Sequence, residues 1–273
     1  KVFGLFTRTV NTENFGEHVL PSLEKANLRS PEAVFQLLPD FYGSLDNEIC
    51  KVSEFFSTSK LPLQFISAFK ANKEPTRNGA LSCFKNLLIH LAVDSKTVDL
   101  ILSSLKSVSN VDQKLIFASA IRLIPVEKTT SNSIITLLAP IAAKDQNEMS
   151  LTSFASAYIF HLIGRLSADE DVDLKTLIGG LSDKKINLRK IWSTELGDSL
   201  FDITHKHSSK LIAAVEEIYP ILVRATKEAI STPLPTVSNK GISTAFVTLA
   251  IGKLAKPWGS LALASQFTEL QIG

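Results

Sequence analysis

The 273-residue sequence contains few of the residues on which disulfide-rich, glycosylated or metal-binding domains depend. It has only two cysteines, Cys50 and Cys83, and no Asn-x-Ser/Thr sequon. Two cysteines so far apart exclude a disulfide scaffold, and we interpret both as small apolar core residues of a reducing compartment. The missing sequons agree with an intracellular chain.

Long uninterrupted apolar runs are also missing. The two most apolar stretches, 151–166 and 245–264, contain residues such as His161 and Lys253, so neither predicts a membrane span. The formal net charge is only +2, which excludes the strongly basic balance of a dedicated nucleic-acid domain. A mild positive excess still permits weak attraction to RNA-rich surfaces.

Catalytic and metal-binding motifs are absent from the sequence. No Gly-x-Ser-x-Gly elbow occurs, and Gly179-Gly180 lacks the Gly-Lys-Ser/Thr ending of a phosphate loop. We expect the glycine pair either to let two helices approach closely or to loosen a helix end. His205 and His207 could hold a metal only with further ligands, and we interpret them as solvated loop residues. His161 is expected to be a core or interface histidine with a bonded ring nitrogen rather than a catalytic base. No catalytic residue, metal ligand or cofactor is predicted.

What the sequence does contain is a repeated helical figure. An apolar helix end is followed, eight or nine positions later, by a cation near the start of a second apolar stripe. An acidic residue lies in each turn or just past it, as Asp183 does. The three occurrences are Phe69 to Arg77, Leu105 to Lys114 and Leu181 to Arg189. Recurrence at this scale predicts stacked helical hairpins, none of which buries its apolar face alone.

Apolar residues at helical spacing extend this figure along the chain. We predict all-α structure and one continuous solenoid over residues 1–273, with Trp192 as a large buried wedge. The Lys73-Glu74-Pro75 segment is predicted to be a turn, and 231–238 a loop. Helices are expected at 13–27, from Ser30, and over 46–56, 62–69, 80–91, 98–105, 115–124, 133–143, 149–166, 172–181, 186–195, 242–254 and 261–270. A further helical unit is expected to begin within 205–209 and to continue to about residue 230.

Three stretches carry a resemblance to a known family. The most specific is LPSLEKANLRSPE at residues 20–32, and FFSTSKL at 55–61 and GLSDKKINLRKIW at 180–192 accompany it. They resemble the N-terminal region of the general-control translational activator, a very large HEAT-repeat protein that rides on ribosomes and activates the kinase of translation initiation factor two. The likeness covers roughly the first two hundred residues.

The resemblance implies a cytoplasmic, non-catalytic scaffold of stacked HEAT-type hairpins that relays amino-acid starvation or ribosome stalling to the kinase. It implies the ribosome as a partner, and an ABC-family ATPase and the kinase as partners of other regions of the parent protein. Lys1 is not an initiator residue, so we expect this chain to be a segment of a longer protein.

The densest basic cluster contains Lys184, Lys185, Arg189 and Lys190, with Lys175 nearby. One interpretation is a solvated helix face. The other is that Lys184, Lys185 and Lys190 contact ribosomal RNA or an acidic ribosomal-protein tail, where each phosphate contact would add salt-sensitive affinity. The pair formed by Asp183 and Arg189 is expected to bond successive hairpins, or alternatively to form part of a binding edge.

Other helical-repeat classes remain as alternatives. A nuclear transport receptor should carry acidic inner helices, and a tubulin-binding array should set a tryptophan and lysines on its hairpin loops. A helical enzyme would need convergent titratable groups in a concave pocket. The sequence favours the ribosome-associated scaffold over all three.

Overall fold

The computed structural model describes residues 15–29, 35, 60–88, 93–145, 147–202 and 208–231. Within these ranges all regular structure is helical and no strand occurs, which confirms the all-α prediction there. A π-helical turn, Phe15–Val19, precedes the first α-helix. The α-helices are α1 Leu20–Arg29, α2 Leu61–Phe69, α3 Glu74–Leu87, α4 Ser95–Leu105, α5 Val111–Leu123, α6 Lys128–Lys144, α7 Glu148–Ser167, α8 Lys175–Leu181, α9 Ile186–Asp202 and α10 Ser209–Ser231.

The chain forms two compact units, residues 1–125 and 126–273. In the first unit, α2 and α3 form one hairpin and α4 and α5 form the next. The first helices of the two hairpins pack on each other, α2 on α4, and so do the second helices, α3 on α5. Equivalent helices therefore lie side by side in successive hairpins.

Short polar residues cap the N-termini of α4 and α5. Asp94 accepts a hydrogen bond from the Thr97 amide (2.9 Å), and Asn110 accepts one from the Gln113 amide (3.2 Å). These bonds satisfy amides that the first helical turn leaves without an internal partner. Pro62 and Pro75 occupy the first turns of α2 and α3, where a missing amide proton costs nothing.

Phenylalanines fill the core of the first unit. Phe69 is fully buried, and its ring centroid lies 6.0 Å from that of Phe84 in its own hairpin and 5.6 Å from that of Phe117 in the next. Phe65 lies 4.8 Å from Phe35 in a stacked arrangement. One aromatic side chain thus joins two hairpins, and edge-to-face geometry adds to the area that it buries.

Polar bonds join the same two hairpins at their turns. Arg77 donates to the carbonyls of Ala71 and Asn72 (2.9 and 2.8 Å), and its Nη2 lies 3.5 Å from the Asp112 carboxylate. The side-chain amide of Gln113 donates a hydrogen bond to the Lys70 carbonyl at 2.6 Å. The guanidinium therefore closes the turn of its own hairpin and also reaches the next one.

The second unit repeats this arrangement. The helices α6 and α7 form one hairpin, α8 and α9 form another, and α6 packs on α8 while α7 packs on α9. The last helix, α10, packs on α7 and α8. The Tyr158 and Trp192 rings meet edge to face at 5.9 Å between α7 and α9, and Trp192 is buried as predicted.

A buried arginine fixes the far end of α7. Arg165 bonds Glu170, Asn132 and the Lys128 carbonyl, and these contacts join α7 to the start of α6. Asp169 follows with a left-handed backbone (φ 62°), a conformation that aspartate tolerates better than most residues.

The Asp169 carboxylate bonds the first turn of α10, the last helix that the structure describes. It accepts hydrogen bonds from the Ser209 hydroxyl (2.7 Å) and the Lys210 amide (3.1 Å). These bonds, the first of which contributes most, lower the pKa of Asp169. The first turn of α10 is therefore held by a residue of the loop that follows α7.

Several predicted boundaries were displaced. Glu74 and Pro75 belong to the first turn of α3 rather than to a turn between helices. The helix α6 begins at Lys128, before the predicted start at 133. The prediction followed apolar spacing, and that spacing is interrupted by Ser131, a polar residue that faces the core and is bonded there. The predicted helices at 46–56, 242–254 and 261–270, the helix start at Ser30 and the loop at 231–238 lie wholly or almost wholly outside the described residues.

Two further expectations concern the core and the membrane. Cys83 is buried in α3, as predicted, and burial raises the pKa of its thiol; Cys50 lies outside the described residues. Among the helices that the structure describes, none combines the length and apolar character needed to cross a bilayer.

Candidate functional site

The basic cluster lies at the turn between α8 and α9. The Asp183 carboxylate accepts a hydrogen bond from the Lys185 amide (2.7 Å), and Arg189 donates to the Asp183 carbonyl (3.0 Å). An aspartate that bonds an amide two residues on is a common device for a tight turn. The turn is thereby held from both sides by its own residues.

The three lysines predicted to contact the ribosome differ in exposure. Lys184 and Lys185 are exposed in the turn, whereas Lys190 is half-buried on α9. Lys190 lies three residues after Asn187, so the two share one side of the helix. Asn187 donates to the Glu148 carboxylate at 3.1 Å, which links this turn to the start of α7. The lysines thus lie at the turn end of two neighbouring hairpins.

Arg189 and Arg77 occupy the same register, since each is the fourth residue of the second helix of its hairpin. Each guanidinium reaches back to carbonyls of the preceding turn. The bond between Asp183 and Arg189 lies within one hairpin, which corrects the expectation that this pair bonds successive hairpins. Arg77, through Asp112, makes the bond of that kind.

A cleft of about 370 Å³ opens beside this turn, between the end of α6, α8 and the start of α9. Its walls are largely apolar, and the polar residues Asp145, Lys175, Thr176 and Asp183 lie around them. The apolar side chains of the walls are Ala142, Ala143, Leu151, Leu188 and Trp192. An apolar hollow with a few polar groups at its edge is the usual form of a small binding site.

The glycine pair of α8 shapes the cleft. A Cβ atom added at Gly180 would lie 2.2 Å from the Trp192 ring, so only glycine permits this approach between α8 and α9. The prediction of a close helix approach is confirmed there. A Cβ atom added at Gly179 would meet no atom within 4 Å, and Gly179 lines the cleft. One glycine therefore seats the tryptophan, and the other leaves space open.

The Tyr158 ring packs edge to face against the Trp192 ring. It is 1% exposed, and burial raises its pKa to about 12, an effect that a hydrogen bond from Thr176 opposes and the charge of Asp173 reinforces. The phenol is therefore neutral at physiological pH and serves as packing for the cleft wall.

Two family models match the chain. Residues 1–115 match the family described as stalled ribosome sensor GCN1 N-terminal. Residues 111–272, more than half of the chain, match the family described as general control nonderepressible 1 (Gcn1) N-terminal. The chain belongs to the Gcn1 N-terminal family. This confirms the resemblance drawn from the stretches at 20–32, 55–61 and 180–192.

A curated relative of this Gcn1 N-terminal chain is the eIF-2-alpha kinase activator GCN1 of Saccharomyces cerevisiae. The two are 32% identical over 191 residues, which cover 67% of this chain and 7% of the relative. The chain therefore spans a small part of the length of the relative that it matches. No solved structure matches the chain.

The histidine predictions have different outcomes in this family member. His161 is fully buried in α7, and its Nδ1 lies 3.0 Å from the Ser131 hydroxyl, which confirms a core histidine with a bonded ring nitrogen. His205 and His207 lie outside the described residues. The described part of the chain contains no group of three or more side chains suited to hold a metal ion.

Sequence reasoning missed the cleft and the Arg165 cluster. A signal for the cleft exists in the adjacent glycines of α8 and in Trp192, nearly two turns into α9, because a large ring next to glycine marks a close approach. Nothing in the spacing distinguishes Gly179 from Gly180, however. Two of the partners of Arg165, Asn132 and the Lys128 carbonyl, lie on the preceding helix more than 30 residues away, so helical periodicity does not reveal them.

Proposed function

We propose that this chain is a non-catalytic scaffold segment of a ribosome-associated translational activator, which relays amino-acid starvation or ribosome stalling to the kinase of initiation factor two. The observation that carries this proposal is the match to Gcn1 N-terminal families over residues 1–115 and 111–272. The relative's name describes an activator of a kinase. A nuclear transport receptor or a tubulin-binding array has no comparable support.

The packing of the helices supports a HEAT-type solenoid. Within each unit, first helices pack on first helices and second helices on second helices. Solenoids bury their cores in this way, because each hairpin covers the apolar face of its neighbour. We extend the proposal to one continuous solenoid over residues 1–273.

The buried cations support a scaffold role as well. Arg77 and Arg165 are each less than 10% exposed, and both bond main-chain carbonyls and a carboxylate of neighbouring elements. Arginine suits such positions because its planar group offers several donors at once. Arg77 thereby joins successive hairpins and Arg165 joins the two helices of one hairpin, while Lys184 and Lys185 lie exposed at the surface.

The ribosome is the partner that we assign to Lys184, Lys185 and Lys190. Each is a cation at the turn end of the second unit, and contact with rRNA or an acidic ribosomal-protein tail would be sensitive to salt. An ABC-family ATPase and the kinase are proposed as partners of other regions of the parent protein, in the cytoplasm.

Charge reversal tests this assignment. We expect that Lys184→Glu, Lys185→Glu and Lys190→Glu, combined in the full-length protein, reduce co-sedimentation with ribosomes at low salt by about tenfold or more. The matched control reverses three exposed lysines of the first unit, Lys85, Lys96 and Lys106, and changes the net charge equally.

The two variants decide between a local contact and general attraction. Loss in the first variant alone supports a contact at this turn. Equal loss in both variants, or full binding by both, contradicts it. Phosphorylation of the alpha subunit of initiation factor two during starvation should fall in the first variant, because the relay depends on ribosome contact.

A further inference from the structure

We propose that the cleft beside the basic turn binds an acidic protein segment through one apolar anchor side chain, which enters next to Gly179 while carboxylates of the segment contact the surrounding lysines. The inference rests on the proposed function, because it assigns a class of partner to the same lysines. It names a pocket and a recognition mode that lysines alone do not provide.

The size and walls of the cleft suit a side chain. Its volume of about 370 Å³ lies at the lower end of the range of about 300 to 1,000 Å³ for ligand sites. The space therefore matches one or two side chains of a peptide rather than a folded surface. Leu151, Leu188 and Trp192 supply apolar walls, so an aliphatic or aromatic anchor is favoured by removal of its surface from water.

Gly179 provides the open side of this space. It lies in α8 and lines the cleft, and no atom lies within 4 Å of the position that its Cβ would occupy. A helix that exposes its backbone at a glycine allows a partner chain to approach closely. The same position lets a substitution fill the cleft without disturbing its walls.

The charges around the cleft favour an acidic partner. Lys175 lines the cleft and is exposed, and Lys184 and Lys185 directly follow Asp183, which also lines it. The nearby aspartates are bonded within their own turns. The Oδ1 atoms of Asp173 and Asp183 accept hydrogen bonds from main-chain amides at 2.9 and 2.7 Å.

The Asp145 carboxylate likewise accepts a hydrogen bond from the main-chain amide of Asn147 at 2.9 Å. Complementary charge of this kind orients a partner and suppresses wrong ones. Asp145 and Asp183 are half-buried, whereas Lys175, Lys184 and Lys185 are exposed, so the lysines are the groups that a partner's carboxylates would meet first.

The aromatic residues favour a protein segment over RNA. Single-stranded RNA is held by stacking of bases on exposed ring faces. Trp192 is 3% exposed and Tyr158 is 1% exposed, so neither ring offers a face to a base. Both rings instead form the wall and support of an apolar hollow.

The test fills the cleft. Gly179→Leu in the full-length protein should place a side chain where the anchor binds, and Gly79→Leu is the matched control, since Gly79 is also a helical glycine with no atom within 4 Å of its added Cβ. The probe is a labelled peptide of glutamates around one leucine, followed by fluorescence anisotropy. A second probe carries alanine in place of that leucine.

We expect Gly179→Leu to weaken binding of the leucine peptide by about tenfold or more, and Gly79→Leu to leave it unchanged. The alanine peptide should bind the unaltered protein about tenfold more weakly than the leucine peptide. Lys175→Glu, a surface change that leaves the cleft walls intact, should also weaken binding.

Equal binding of the leucine peptide by Gly179→Leu and the unaltered protein overturns the proposal, as does equal binding of the two peptides. Oligouridine that displaces the leucine peptide and binds Gly179→Leu normally would assign the site to RNA and overturn it too. Retained ribosome binding by the triple lysine variant contradicts the proposed function instead. The two failures are therefore distinguishable.

Discussion

The two units share one plan of paired helices, but the side-chain contacts between their helices differ. In the first unit, Phe69 lies between Phe84 and Phe117, and Arg77 reaches Asp112 across the turns. In the second unit, Tyr158 and Trp192 meet between successive hairpins, the Trp192 ring also lies against Gly180 within its own hairpin, and an apolar cleft of about 370 Å³ opens beside them. The same architecture thus gives an aromatic-filled seam in one place and a hollow in another.

This contrast shows that small changes at one repeat can open a cleft while the helical plan is kept. A glycine pair in α8 lines the cleft where larger side chains would fill it, and the turn after α8 carries exposed lysines. Neither change alters the helices' order or packing partners. Binding sites can therefore be placed on a repeat without loss of the stack, because each hairpin contacts mainly its neighbours.

The largest expected effect concerns the filled seam of the first unit. Phe69→Ala should lower the free energy of unfolding by about 3 to 5 kcal/mol, because it empties a fully buried aromatic position. Leu63→Ala on the same helix, at a position 57% exposed, should change it by less than about 0.5 kcal/mol. Denaturant titration measures both, and similar losses in the two variants would show that this seam is not packed as described.

The glycine pair gives the next effect and tests the open seam. Gly180→Ala should destabilise the protein by about 1 to 3 kcal/mol, because its Cβ overlaps the Trp192 ring. Gly179→Ala should instead stabilise it by about 0.5 to 1 kcal/mol, since alanine favours helix and meets open space. Thermal unfolding distinguishes the two signs, and a shift in the same direction for both would contradict the geometry of the cleft.

Tyr158 gives a smaller effect that depends on pH. Its folded pKa of about 12 exceeds the ordinary value of 10.0, so its contribution is present below pH 10 and is lost as pH rises towards 12. Tyr158→Phe lacks this ionisation. From pH 8 to pH 11, the difference in unfolding free energy between the unaltered protein and Tyr158→Phe should shrink by about 1.4 kcal/mol. A constant difference would mean that the phenol is not buried beneath Trp192.

The smallest effect concerns the polar bond between the hairpins of the first unit. Asp112 is 67% exposed, so Asp112→Asn should cost less than about 1 kcal/mol even though it weakens the pair with Arg77. Added salt should reduce the difference further. A loss as large as that for Phe69→Ala would show that charge rather than aromatic packing joins these hairpins.

Much of the fold could be predicted from local pattern. The recurrence from Phe69 to Arg77 and from Leu181 to Arg189 located two hairpins, because an apolar stripe, a polar turn and a cation are all local features. The family resemblance came from contiguous stretches for the same reason. The start of α6 was displaced where a polar residue, Ser131, enters the core and bonds His161.

The site was predicted less completely. The lysines of the α8–α9 turn were identified from sequence, but their different exposures were not, because exposure depends on neighbouring hairpins. The opposite environments of Gly179 and Gly180 depend on which side of α8 faces Trp192. The bond from Asn187 to Glu148 joins residues far apart in sequence, and no periodicity specifies it.

Imaging of the full-length protein on stalled ribosomes would show directly whether these lysines contact the ribosome. We expect electron cryomicroscopy to place the turn that carries Lys184 and Lys185 against ribosomal RNA or protein, with the α8–α9 hairpin side by side with its neighbours. A bound complex in which this turn faces open solvent would contradict it.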